Sequence, residues 1–170
     1  MGETIVAFGV EGRSGWSGGG PGPADGDQRS AFVYGSLLFG PVLKALLGRV
    51  PESREGRVLG WHRFRIRGRV YPAVAPLEGG EVVGKVLVGL SAEEKDLLDW
   101  FEDEEYVKVP VRVEPCGTDA WIYARERVGE DLFSTWDAEV FERRELGAFV
   151  EMCVGCRQEY LRVLEAEKGG

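Results

Sequence analysis

A tyrosine, a glycine and a serine close a short apolar run at a point where the backbone could take part in catalysis. Residues 31–34 are typical of a buried strand, and Gly35 and Ser36 interrupt it before a helix that begins near Pro41. A glycine turn between a strand and a helix leaves N–H groups unpaired, and these can converge on an anion or a developing oxyanion. Ser36 adds a hydroxyl. The same pattern also fits an ordinary turn.

The second candidate for chemistry is Glu102, near the end of a helix predicted to start with a capping box at 91–94. On a helical wheel Glu102 falls about 40° from Leu98, so its carboxyl borders the apolar face. Partial desolvation there would raise its pKa toward the range useful for proton transfer. Because further acids follow at 103–105, Glu102 could instead be a solvated acid at a helix end.

The pair Cys153 and Cys156 has the CxxC spacing found in zinc and redox sites. A structural zinc ion needs four ligands, and beyond this pair only Cys116 and His62 are obvious candidates, at spacings that indicate no site. Packing is the better account, because a free cysteine behaves as a small buried hydrophobe. Both cysteines fall on a helical stripe that steps by three and four residues: Leu146, Phe149, Cys153, Cys156, Tyr160 and Val163. We therefore predict core cysteines and no metal.

Four arginines alternate with other residues along a predicted strand and so share one of its faces: Arg63, Arg65, Arg67 and Arg69. Such a face could bind anions or nucleic acid, or it could be a solvated face paired with acids of neighbouring strands. The net charge of −8 favours the second interpretation and argues against nucleic acid and anionic membranes as partners.

The single histidine, His62, would have to serve any Ser-His-Asp arrangement, and no nucleophile-elbow pattern accompanies it. We expect it at a strand end, in solvent or hydrogen-bonded locally. The sequence has no P-loop and no GxGxxG after a strand.

The elements that must position these residues are several strands with few helices between them. Strands are predicted at 31–34, 58–70, 81–90, 106–113 and 120–124, and helices at 41–47, from 91 past Phe101, and over 134–167. This order favours an α+β fold, in which a mixed or largely antiparallel sheet curls into a small β-barrel with flanking helices.

Length and composition favour one globular domain of a reducing compartment. The chain has 170 residues, a length that favours one domain. Its three cysteines are few and odd in number, which argues against a disulfide scaffold. No secretory signal and no membrane-spanning run is evident, so we expect a cytoplasmic protein. Residues 1–28 are rich in glycine and proline and are predicted to form a mostly disordered leader, although 4–10 could add a strand. The domain is expected to span 29–170.

Five segments resemble the gamma-glutamylcyclotransferase-like family in content and order. They are VYGSL at 33–37, GRVYPA at 68–73, GKVL at 84–87, LDWFE at 98–102 and, as in the plant avirulence-induced-gene branch, FSTWD at 133–137 with the long helix after it. The resemblance covers about residues 30–165 and implies the family's small barrel with flanking helices.

The resemblance also implies a reaction and a set of site residues. The loop of Tyr34, Gly35, Ser36 and Leu37, continued by Leu38 and Phe39, would hold the gamma-glutamyl group of a small-molecule substrate, and Glu102 would act as acid and base. The substrate's alpha-amine would attack its own gamma-carbonyl, giving 5-oxoproline and a free amine or amino acid without cofactor or metal. Such an enzyme would serve glutathione metabolism or plant defence. The alternative is a non-catalytic small-molecule or protein-binding module of the same fold, and the oligomeric state is left open.

Overall fold

A computed structural model describes residues 30–170, which form six strands and four α-helices. The strands are β1 (Ala31–Val33), β2 (Ser53–Ile66), β3 (Pro72–Leu87), β4 (Val107–Val113), β5 (Thr118–Ala124) and β6 (Leu132–Thr135). The helices are α1 (Gly40–Leu47), α2 (Ala92–Glu102), α3 (Ala138–Arg144) and α4 (Leu146–Lys168). None of these helices is long and apolar enough to cross a bilayer.

The six strands form one mixed sheet in the order β4-β5-β1-β3-β2-β6. Strand β1 is antiparallel to β3 and parallel to β5, and the longest ladder is the antiparallel pair β2–β3. A single bridge between Arg57 and Glu114 brings β2 beside the end of β4, but β4 and β6 remain edges of the described sheet. The predicted α+β fold with flanking helices is confirmed, while the barrel is not a closed one.

Strand β1 shows how the sheet separates two cores. Successive side chains of a strand point to opposite faces. Ala31 and Val33 accordingly join the cluster packed under the helices, whereas Phe32 and Tyr34 join the cluster on the inner face of the curled sheet. The turn that follows β1 therefore lies where both cores meet.

Local signals fix the helices beside this turn. Pro41 occupies the first turn of α1, and Gly48 ends the helix with a left-handed φ of 78°. Ser91 and Glu94 cap each other reciprocally at the start of α2, and Arg49 pairs with Glu94 at 2.7 Å. The predicted start of α2 is confirmed.

The prediction of one helix over 134–167 was wrong. Residues 132–135 form β6, which pairs with β2, and Asp137 then caps α3 by accepting hydrogen bonds from two backbone N–H groups. A break at Glu145 separates α3 from α4. The pairing that makes 132–135 a strand lies about 70 residues away in β2, so local helical periodicity could not reveal it.

Strand β3 begins nine residues before the predicted start at 81. The sequence did not predict its first half because this half contains glycine and proline, which usually mark turns. Gly80 sits beside a register shift between Leu59 and Trp61 of β2. A Cβ atom at Gly80 would lie 2.5 Å from the Trp61 carbonyl oxygen, so only glycine allows the two strands to approach there. In the sequence Gly80 suggests the end of a strand, but in the structure the pairing of β2 with β3 requires it.

The predicted leader, 1–28, and its apolar run 4–10 lie outside the described residues, so their dispensability stays a prediction. Glycine-rich segments with few large apolar side chains cannot offset their conformational entropy by packing. A chain starting near Arg29 is expected to melt at about the same temperature as the full chain and to retain its activity. Calorimetry of both forms checks this, and a clear fall in melting temperature would mean that 4–10 pairs with the sheet.

Candidate active site

Three backbone donors in the turn after β1 have no hydrogen-bond acceptor among the described residues. Residues Ser36–Leu38 form one 3-10 turn, in which the Leu38 N–H donates to the Gly35 carbonyl at 3.0 Å and the Phe39 N–H to the Ser36 carbonyl at 3.3 Å. The N–H groups of Gly35, Ser36 and Leu37 precede these bonds and have no acceptor within the turn. These three donors can stabilise a negative oxygen.

The turn is pressed against the start of β3. A Cβ atom at Gly35 would lie 2.8 Å from Cγ and 2.9 Å from Cδ of Pro72. A proline ring on a strand has little freedom to withdraw, so a side chain at position 35 would displace the turn. The φ of Gly35 is −124°, which other residues can also adopt. Glycine is therefore required here by the close contact with Pro72 and not by its φ angle.

The side chain of Tyr34 is committed to the core. Its hydroxyl donates to the Tyr123 carbonyl at 2.6 Å and accepts from the Val74 N–H at 3.4 Å. Burial raises the pKa of this phenol well above its usual value. The phenol of Tyr34 is therefore not available to a ligand.

Arg63 holds the same turn from strand β2. Its guanidinium donates to the Tyr34 carbonyl at 2.8 Å and lies 5.1 Å from the ring of Trp136, and burial lowers its pKa. Trp136 is in turn fixed by its indole N–H, which donates to the Val70 carbonyl at 2.8 Å. Three separate segments thus define the position of the turn.

The arginine stripe is not paired with acids as the sequence suggested. Among the described residues, Arg65 and Arg67 lie over the Phe133 ring at 5.0 and 4.6 Å, and no carboxylate of that region is within ion-pair distance of them. The role of Arg63 was missed because the alternation that defines the stripe says nothing of a carbonyl 29 residues away. Arg65 and Arg67 therefore pack on an aromatic ring of β6, which pairs with β2.

Glu102 is the last residue of α2 and keeps only part of its surface exposed. Burial raises the pKa of its carboxyl to about 8, with smaller contributions from the charges of Glu105 and Asp99. The charge of Glu102 in turn raises the pKa of Tyr34 and Tyr123, so the carboxyl lies within electrostatic range of both phenol hydroxyls. The two candidates predicted from the sequence are brought into one region.

The two acids beside Glu102 are each held by hydrogen bonds. Asp99 accepts from the Tyr123 hydroxyl at 2.6 Å and pairs with Lys108 at 3.2 Å. Glu105 accepts from the Tyr71 hydroxyl at 2.8 Å, and Arg125 donates to it at 3.1 Å.

These partners fix the positions of both neighbouring carboxylates, whose charges disfavour a negative charge on Glu102. Sequence reasoning assigned no role to Tyr71, Tyr123 or Arg125. Of these three residues, only Tyr71 could have been noticed in the sequence, because it lies in the segment 68–73 that carries the family resemblance.

The remaining sequence candidates lie elsewhere. His62 lies within β2 rather than at a strand end, and its hydrogen bond is not local: Nε2 is 3.0 Å from Oγ1 of Thr135, 73 residues away on β6. Its ring packs edge-on against Phe64. Cys153 is buried and Cys156 half-buried on α4, where burial raises the pKa of Cys153 to about 12 and that of Cys156 to about 11. Thiols of this kind favour the packing interpretation.

The prediction that the protein binds no metal is open to direct measurement. No group of three or more histidine, cysteine or acidic side chains suited to a metal occurs within 30–170. The purified protein is expected to carry less than stoichiometric zinc, and excess chelator should leave its melting temperature unchanged. Elemental analysis that found one zinc per chain would contradict the core assignment of both cysteines.

Comparison with known proteins gives a consistent set of matches. Residues 31–138 match the family model described as gamma-glutamyl cyclotransferase, AIG2-like. The chain is 38% identical to AIG2-like protein D of Arabidopsis thaliana over 132 residues, which are 74% of this chain and 86% of that protein.

Two solution structures of Arabidopsis thaliana proteins share the fold. The first aligns with a TM-score of 0.57 and 33% identity, over 85% of this chain and 96% of that one. The second gives a TM-score of 0.58 and 26% identity, over 86% and 88% of the two chains.

Proposed function

Because the chain belongs to the gamma-glutamyl cyclotransferase, AIG2-like family, we propose that it converts the gamma-glutamyl group of a small molecule into 5-oxoproline with Glu102 as acid and base. The observation that carries the proposal is the carboxyl of Glu102, which lies at the end of α2 within electrostatic range of the Tyr34 hydroxyl and whose pKa burial raises to about 8. A carboxyl with a pKa near neutrality can both accept and donate a proton at physiological pH.

The proposed reaction is an intramolecular acyl transfer. The alpha-amine of the substrate attacks the gamma-carbonyl carbon while the Glu102 carboxylate takes a proton from that nitrogen. The oxyanion that forms is stabilised by the N–H groups of Gly35, Ser36 and Leu37. Protonated Glu102 then gives its proton to the departing nitrogen as the gamma-amide C–N bond breaks. The products are 5-oxoproline and a free amine or amino acid, and no water is consumed.

Holding the substrate folded is the other task of the site. Cyclisation joins two groups of one molecule, so a bound conformation with amine and carbonyl in contact removes much of the entropic barrier. The rigid placement of the turn by Pro72, Arg63 and the Tyr34 phenol suits it to this role. Leu37, Leu38 and Phe39 continue the loop and are proposed to complete the contact with the substrate.

A screen of gamma-glutamyl compounds tests the proposal. The purified chain is incubated with gamma-glutamyl peptides and gamma-glutamyl amines, and 5-oxoproline is quantified by mass spectrometry. Release of 5-oxoproline from at least one class is expected. Saturable binding of such compounds without 5-oxoproline would replace the proposal with a non-catalytic binding module. An absence of both binding and turnover would contradict the enzyme hypothesis as well as the hypothesis of a module that binds such compounds.

The pKa of Glu102 predicts the direction of the pH profile. Catalysis begins with the carboxylate form, and the substrate amine must also lose its proton. The turnover number is therefore expected to rise as the pH increases toward 8 and to level off above that value. Initial rates of 5-oxoproline release between pH 5 and 9 at saturating substrate provide the measurement. A maximum near pH 5 would contradict a carboxyl that is protonated at that pH.

A further inference from the structure

A cleft of about 290 Å³ has a lining that shares no residue with the candidate active site. It is formed where the turn between β2 and β3 faces the start of α3. Trp136 and Phe141 form its buried apolar wall, and the half-buried Val140 extends that wall. Neither Glu102 nor any residue of the loop 34–39 lines this cleft. The family reaction therefore does not account for it.

Three arginines from different elements converge on the same cleft. Arg65 comes from β2, Arg69 from the turn after it, and Arg144 from the last residue of α3. All three are exposed, and within the described part of the chain none of them forms an ion pair with a carboxylate. Arg65 is supported from behind by the ring of Phe133 at 5.0 Å. In a chain of net charge −8, three arginines with no ion pair among the described residues, beside an apolar wall, are unusual.

The acids of the cleft leave this positive charge in excess. Asp137 accepts hydrogen bonds from the Glu139 and Val140 N–H groups, and its charge also acts on the half-buried Arg63. Glu145 is the other acid of the lining. Three arginines thus face two carboxylates, one of which is already engaged with the helix start and Arg63.

We propose that this cleft binds a small organic carboxylate with an apolar body. The guanidinium groups would hold the carboxylate, for which their planar donor pairs are suited. The Trp136–Phe141 wall would receive the apolar part. The volume is at the lower limit of ligand sites, about 300 Å³, so it favours a body the size of one ring and excludes a polymer such as nucleic acid.

The cleft is connected to the turn after β1 through its own wall. The Trp136 ring supports the Arg63 guanidinium, which donates to the Tyr34 carbonyl. Phe141 packs against Phe39 with ring centroids 5.4 Å apart. Because Trp136 lines the cleft itself, its indole is expected to report binding there, and the variants of the cleft arginines assign the signal to this cleft.

Titration of the full-length protein with benzoate tests the proposal by NMR. Benzamide supplies the same ring without the charge, and acetate supplies the charge without the ring. Benzoate is expected to shift the indole N–H signal of Trp136, identified among five tryptophans by its loss in Trp136→Phe, in a saturable manner. Benzamide and acetate should each bind at least about tenfold more weakly, because each lacks one of the two contacts.

Matched charge reversals place the ligand. Arg144→Glu and Arg65→Glu are each expected to weaken benzoate binding at least about tenfold, as one charge-assisted contact becomes repulsive. Arg143→Glu makes the same change at an exposed neighbour outside the cleft and should leave the affinity unaltered. Equal binding of benzamide, an equal loss in Arg143→Glu, or no shift of the Trp136 signal over the titration would overturn the proposal. None of these readouts depends on cyclotransferase activity.

Discussion

Replacement of Glu102 by glutamine is expected to reduce 5-oxoproline release by at least about a hundredfold while the protein remains folded. The amide can neither take a proton from the attacking amine nor return one to the leaving nitrogen, and general acid–base catalysis contributes about 10²–10⁴-fold. Glutamine preserves the size of the side chain at the end of α2, so the surrounding packing should persist. Turnover of the variant and the wild type on the same gamma-glutamyl compound is the measurement.

The same substitution should stabilise the protein at alkaline pH. The pKa of Glu102 is about 8 in the folded chain against an ordinary value of 4.5. Between these values the folded state keeps a proton that the unfolded state has lost, so stability falls as the pH rises from about 4.5 to about 8. Glutamine removes this titration. At pH 9 we expect Glu102→Gln to have a higher melting temperature than the wild type and a free energy of unfolding that is larger by up to a few kcal/mol. At pH 4 the two proteins are expected to melt at nearly the same temperature.

Glu104→Gln is the matched control, because Glu104 is exposed in the same acidic segment. It should change neither the turnover nor the difference in melting temperature between pH 4 and pH 9. Near-normal turnover in Glu102→Gln would remove Glu102 from the proposed mechanism. A loss of turnover with a lowered melting temperature at both pH values would indicate a structural role instead.

The parts of the fold that the sequence predicted well are those set by local chemistry. The capping box at Ser91 and Glu94 starts α2, and the wheel position of Glu102 relative to Leu98 anticipates its partial burial. Gly48 likewise ends α1 with the left-handed conformation that glycine adopts readily. In each case the residues that decide the structure lie within about one or two helical turns of each other.

The parts that sequence reasoning missed depend on partners far along the chain. Residues 132–135 are a strand only because β2 pairs with them, and Arg63 acquires its role only because the Tyr34 carbonyl is within reach. The acids that raise the pKa of Glu102 are near it in sequence, but the Tyr123 and Tyr71 hydroxyls that hold them are not. A single sequence shows which residues can do chemistry, and the tertiary packing decides which of them meet.

Gly35→Ala is expected to impair the site through its main chain alone. The added Cβ would lie 2.8 Å from Cγ of Pro72, a separation that carbon atoms cannot maintain, so the turn must move away from β3. The N–H groups of Gly35, Ser36 and Leu37 would move with it. A displacement approaching 1 Å in a site that positions reacting groups can reduce the rate about a hundredfold, and overpacking costs about 1–3 kcal/mol of stability.

Gly40→Ala provides the comparison, since it makes the same chemical change five residues further on. Gly40 is the first residue of α1, and a Cβ there would meet only Cγ2 of Val50 at 3.9 Å, an ordinary contact. This variant should keep both the melting temperature and the rate of 5-oxoproline release. If Gly35→Ala instead matched it in both properties, the turn would be able to yield to a side chain. The hypothesis that the turn holds its N–H groups rigidly, on which the proposed oxyanion stabilisation depends, would then be wrong.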